Sequence, residues 1–142
     1  MTKPSPVKIR GVHHFELSVP CLTEAIKFYS DAFGFELVDH EHLPPSNEGD
    51  RVTQLRGSDS TVAMLRAGNL FIELFEFHSP APKALKRRLN DFGITHFSFE
   101  VESVHEAYDL LKAHGVSWHS EPIDAGDGYL MTFNTNGLFI LK

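Results

Sequence analysis

A chain of 142 residues, 42% hydrophobic and 23% charged, suits one compact globular domain and excludes a disordered or collagen-like chain. The formal net charge of −6 argues against nucleic acid, because phosphate binding needs a clustered basic face and the one basic run, Lys83 to Arg88, is short. A single cysteine, Cys21, excludes an internal disulfide. The opening MTKPSPVKIRG has no apolar stretch of signal-peptide length, and no segment nears the ~20 apolar residues of a membrane span, so a cytoplasmic protein without a membrane partner is expected.

The predicted elements fall into two similar halves. Residues 12–19 alternate as a strand that Pro20 ends, and Leu22, Ala25, Ile26, Tyr29 and Phe33 then recur at helical spacing up to Gly34. Phe35–His40 reads as a second strand. The segment 43–60, with Pro44-Pro45 and Gly49, reads as a long polar loop of the kind that often forms a lid. Thr61–Arg66 and Leu70–Phe77 read as strands joined by the turn Ala67-Gly68-Asn69. After a Pro-bearing linker over 79–92, Thr95–Val101 is a strand. Ser103 with Glu106 forms a capping box for a helix over 104–114, closed by Gly115. Val116–Ser120, Tyr129–Phe133 and Leu138–Leu141 supply three more strands.

The halves echo each other in residues as well as in order. Gly11-Val-His-His14-Phe15 returns 82 residues later as Gly93-Ile-Thr-His96-Phe97, and Val19, Glu24 and Ala25 map onto Val101, Glu106 and Ala107. The reading is a single α+β domain of two βαβββ modules, the first about 10–78 and the second about 93–142, rolled into paired half-barrels.

Strand phase decides which side chains share a surface. His14, Glu16 and Ser18 share one face, His96, Ser98 and Glu100 another, and Glu73 lies in phase with Phe71, Phe75 and Phe77. A carboxylate flanked by phenylalanines on a partly dry face must be matched by a cation or take up a proton. Histidines on pseudo-equivalent strands offer further ligands, and imidazole, imidazole and carboxylate together suit Zn, Ni, Mn, Co or Fe. The plainer reading stands beside it. A histidine at a strand start is commonly a hydrogen-bonded structural residue, and a Glu in an apolar strand is commonly salt-bridged or on an edge.

The stretches His14-Phe-Glu-Leu-Ser-Val-Pro20, Ala25-Ile-Lys-Phe-Tyr29-Ser-Asp-Ala-Phe-Gly34-Phe35, Leu70-Phe-Ile-Glu73-Leu74 and Gly93-Ile-Thr-His96-Phe-Ser-Phe-Glu-Val101 resemble the glyoxalase/bleomycin-resistance/extradiol-dioxygenase (vicinal oxygen chelate) superfamily. The resemblance runs from about residue 10 to the end. It implies that His14, Glu73 and His96 bind a divalent metal, that two neighbouring oxygens of a small metabolite chelate that metal, and that the protein forms a homodimer. The implied activity is lyase-, isomerase- or epimerase-like, with an extradiol-type dioxygenase as the rival enzyme. A metal-free small-molecule binding or resistance protein is the rival outside enzymes. The family's fourth ligand is a carboxylate near the C-terminus, where this sequence has Leu141, or Lys142 if the register shifts. A Glu inserted between Ile140 and Leu141 would restore the pattern, so an altered or truncated C-terminus is a further alternative.

Proton transfer still requires a base. Glu73 itself, Glu16 and Glu100 are the candidate catalytic groups, with His119 a further one. Phe71, Phe75, Phe97, Trp118 and Tyr129 are the expected aromatic lining for the substrate, although most of the twelve phenylalanines serve as core. Arg51 and Arg56, in the long loop, are placed to meet a substrate carboxylate or else are solvated.

Overall fold

The computed structural model describes residues 7–84, 88, 90–94, 96–126, 130–133 and 138–141. It divides into two compact units, Met1–Pro82 and Lys83–Lys142. In the first, β1 (His14–Ser18), α1 (Leu22–Phe33), β2 (Glu36–Leu43), a short α2 (Asn47–Thr53), β3 (Asp59–Ala67) and β4 (Leu70–Ser79) follow in chain order. In the second come β5 (Phe97–Glu100), α3 (Val104–Ala113), β6 (Ile123–Asp124), β7 (Leu130–Phe133) and β8 (Leu138–Leu141). The sheet orders are β1-β4-β3-β2 and β5-β8-β7-β6. First and last strands of each unit are parallel neighbours, and all other pairs are antiparallel. The two units thus repeat one topology, as the paired echoes in the sequence imply.

Local chemistry explains the first unit. Apolar residues of α1 at helical spacing turn toward the sheet, and Tyr29 stacks on Phe35 with Phe33 beside both. Cys21 provides no side-chain cap for α1. Instead the Glu76 carboxylate of β4 accepts the Leu22 backbone N–H at 2.7 Å, placing an anion at the helix N-terminus. Gly34 ends the helix at φ 68°, a left-handed conformation that costs glycine little, and its N–H donates to the Ser30 carbonyl. The β3–β4 hairpin closes through Gly68-Asn69, with Gly68 at φ 64° as a two-residue turn requires.

Alternation in β3 and β4 separates two faces. Ala63, Leu65, Ile72 and Leu74 are fully buried and form the core under α1, with Leu22. Phe71, Glu73, Phe75 and Phe77 lie on the opposite face of β4. In the second unit Val104 and Leu111 of α3 and Thr132 of β7 are buried, and the Thr132 hydroxyl donates to the Ser120 carbonyl. Ser103 caps α3 by accepting the Glu106 N–H at 3.3 Å, as the capping-box pattern predicts.

Two expectations are corrected. The 43–60 segment is not continuous loop: β2 runs on to Leu43, and α2 follows. Ser46 caps α2 by accepting the Gly49 N–H at 2.9 Å, and Glu48 and Asp50 place negative charge in its first turn. Asp50 also accepts the N–H groups of Gly57 and Ser58, which ties the following turn to the helix. Val116–Ser120 forms no strand. Only Trp118 makes an isolated bridge there, and the strand next to β7 is the two-residue β6. The polar pair His119-Ser120 and Pro122 shorten the pairing available to an edge strand.

Candidate functional site

The parallel pairing of β1 with β4 sets the candidate site in the first unit. Its register places His14 opposite Phe71, Glu16 opposite Glu73 and Ser18 opposite Phe75, all on the face away from α1. The next strand continues these rows, since Arg66 lies opposite Phe71 and Met64 opposite Glu73. Glu73 is therefore flanked by Glu16 and Met64 across the sheet, and by Phe71 and Phe75 along its own strand.

His14 Nε2 stands 3.5 Å from Glu73 Oε2, with the Glu73 side chain 22% exposed and that of His14 39%. The spacing of this one pair is compatible with two ligands of a single divalent ion. Two donors each bonded at ~2.1 Å to one tetrahedral ion stand about 3.4 Å apart, close to the separation found here. Glu16, beside them, has its pKa raised above the usual carboxylate value. Lost hydration is the main cause and the Glu73 charge the second, with His14 partly offsetting both. Crowding two carboxylates on one face is costly without a cation between them, which is the electrostatic reason to expect one.

A second histidine extends the array. His13, just before β1, approaches His14 through its Nδ1, 2.8 Å from His14 Nδ1. Its ring packs against Phe71 with centroids 5.2 Å apart, and its carbonyl accepts the Phe71 N–H. The Arg66 guanidinium lies over the same Phe71 ring, 5.6 Å from its centroid, while its Nε faces Glu36 at 3.4 Å. His13, Met64 and Arg66 were missed by sequence reasoning. Counting back across the Gly68-Asn69 turn puts Met64 and Arg66 opposite Glu73 and Phe71, so the signal for those two was present. Nothing in the alternation of residues 12–19 predicts that His13 folds its ring over Phe71.

In the second unit, His96 precedes β5 and is exposed, while Ser98 and Glu100 alternate on the more exposed face of that strand. Phe97 and Phe99 share the other, more buried face in T-shaped contact, so Phe97 does not share a face with Ser98 and Glu100. Trp118 packs against Tyr108 of α3. His119 is exposed, and Tyr129 lies outside the described residues. Arg51 sits in the last turn of α2 and Arg56 in the turn after it, both exposed. Among the described residues, no group of three or more His, Cys, Asp or Glu is gathered closely enough to hold a metal.

The register of β1 with β4 pairs Glu16 with Glu73, whereas that of β5 with β8 pairs Ser98, 82 residues after Glu16, with Phe139, and Glu100 with Leu141. No residue of β8, Leu138–Leu141, carries a carboxylate.

Known proteins agree with this architecture. A relative from Actinomyces sp., a 2-epi-5-epi-valiolone epimerase, is 33% identical over 124 residues, 83% of this chain and 67% of its own. A glyoxalase family protein from Bacillus cereus superposes with a TM-score of 0.82 at 23% identity, covering 98% of this chain and 96% of that one. The fosfomycin resistance protein FosX from Listeria monocytogenes, in complex with Mn(II) and sulfate, superposes with a TM-score of 0.60 at 19% identity, covering 94% and 91%. The family model described as Glyoxalase/Bleomycin resistance protein/Dioxygenase superfamily matches residues 11–139. With one sheet topology built twice and a family match over nearly its whole length, the chain belongs to the glyoxalase/bleomycin resistance protein/dioxygenase superfamily.

Proposed function

We propose that this protein is a divalent-metal enzyme that rearranges a small, vicinally oxygenated metabolite, with isomerase- or epimerase-like chemistry favoured and lyase chemistry next. His14, Glu73 and His96 are the ligands. The observation that carries the reading is the convergence of His14 Nε2 and Glu73 Oε2, with Glu16 crowded beside them. The epimerase relative supports the choice of reaction. A bound Zn, Ni, Mn, Co or Fe would act as a Lewis acid on the two chelating oxygens of the substrate.

The chain's own residues have separate tasks in this scheme. Glu16, whose pKa is raised by lost hydration and by the Glu73 charge, is the first candidate to take a proton from the substrate, and Glu100 is a further candidate in the second unit. Phe71 and Phe75 offer apolar contact on either side of Glu73, and Phe97, Trp118 and Tyr129 are the further aromatic candidates. Arg51 and Arg56 are the candidates to meet an anionic end of the substrate. The protein acts as one domain of two modules, in the cytoplasm and as a homodimer, which sedimentation equilibrium would test.

A second reading has its own observation. Leu141, where the family's fourth ligand is a carboxylate, removes a ligand and a potential proton carrier, which favours a metal-free protein that sequesters a small molecule. Elemental mass spectrometry separates the two, on untagged protein purified without chelators. About one metal per chain, lost in His96→Ala and in His14→Ala, is the expected result. Iron would turn the reading toward extradiol-type oxygenation. No metal after reconstitution would overturn the enzyme and leave the binding protein.

A further inference from the structure

We infer that His13 is a positioning residue that fixes the ring of His14, so that His14 Nε2 faces Glu73 and whatever cation Glu73 attracts. The metal part of this rests on the function proposed above. The positioning part rests on geometry alone. An imidazole has two nitrogens on opposite sides of its ring, and a ligand histidine needs the second one held if the first is to keep its direction. In His14, Nδ1 is 2.8 Å from His13 Nδ1 and Nε2 is 3.5 Å from Glu73 Oε2, so both nitrogens have assigned neighbours.

His13 is itself restrained on three sides. Its carbonyl accepts the Phe71 N–H at 3.0 Å, which ties its backbone to β4. Its ring lies on Phe71, tilted by 33° with centroids 5.2 Å apart, and meets the His14 ring edge-on at 84°. Phe71 is in turn held beneath the Arg66 guanidinium. The support for His14 is thus built from β3, β4 and the residue before β1, and not from a mobile side chain.

A bond between two Nδ1 atoms holds one proton, and either ring can donate it. When His14 offers the lone pair of Nε2 to a cation, its own proton must sit on Nδ1, and His13 Nδ1 is the acceptor that stabilises this tautomer. Glu73 has no corresponding role, because it faces the side of His14 that the metal would occupy.

The test uses the full chain with His13→Phe, which keeps a ring on Phe71 but no nitrogen, and His13→Asn, which keeps a polar group near the Nδ1 position. In metal-free protein labelled with 15N-histidine, the Nδ1 resonance of His14 should shift in His13→Phe and return toward wild type in His13→Asn. The Ni2+ dissociation constant, from calorimetry with Ni2+ as the probe, should rise about 10- to 100-fold in His13→Phe and recover in His13→Asn. Thermal melting of each variant verifies folding. His14 resonances in His13→Phe identical to wild type overturn the proposal, and so does an unchanged Ni2+ constant. Wild-type protein that takes up no Ni2+ overturns the metal reading instead, and the spectrum of the metal-free chain then decides the His13 contact by itself.

Discussion

At the scale of single residues, the charge balance around Glu73 governs behaviour. Glu16 holds its proton more tightly in the folded chain than in the unfolded one, so its ionisation opposes folding. That cost is absent below its ordinary value of 4.5 and fully present once the pH passes the raised one. Glu16→Gln should therefore raise the melting temperature of metal-stripped protein at pH 7 and leave it unchanged at pH 4. The gain should stay below about 1 kcal/mol, because water still reaches the group. Equal effects at the two pH values would disprove the coupling. His96 is proposed as a ligand from its repeat position, and the approach of His14 to Glu73 was legible from strand phase. The contact between His13 and His14 was not, because adjacent residues in a strand ordinarily point to opposite faces and only the local backbone brings these two rings together.

Elements were legible where their apolar pattern was strong. The helix α1, both long strands of the β3–β4 hairpin and β8 follow directly from periodicity and turn residues. The helix α2 carries no buried residue, so it has no apolar stripe to reveal it, and its only signal is the Ser46 cap with acidic residues behind it. The sequence predicts β2 over Phe35–His40 but not its continuation to Leu43, because this edge strand exposes most of its side chains. Long-range capping was invisible as well. Glu76 lies 54 residues from Leu22, yet it supplies the acceptor that Cys21 does not. Glu76→Ala should cost about 1 kcal/mol, and Glu76→Gln less, as read from denaturant midpoints and from faster hydrogen exchange at the first turn of α1. Equal stability of Glu76→Ala and wild type would mean that water caps the helix as well as the carboxylate does.

For the whole molecule, the duplicated topology is the main lesson, and the sequence carried it through a few repeated residues around His14 and His96. An ion bound by the folded chain stabilises it by mass action. At a free metal concentration one hundred times its dissociation constant, folding should gain about 2.7 kcal/mol, seen as one sharper and higher melting transition. His96→Ala should abolish that gain while leaving the melting of metal-free protein nearly unchanged. A rise of the same size in His96→Ala would confine the ion to the first unit. Leu141→Glu supplies a carboxylate where the superfamily's fourth ligand is expected, and metal affinity measured by competition with a chelating dye should increase at least tenfold. A decrease would mean that the second unit's position does not face the ion.

The Glu16–Glu73 pair, and its replacement by Ser98 and Phe139 in the second unit, also bear on how such a protein can change over time. Because the strands that bear these positions are neighbours within each unit, one half can drop or regain a carboxylate without rebuilding the other. Drift between holding a molecule and transforming it then requires few substitutions on an unaltered frame, with the first unit retaining its pair of donors throughout.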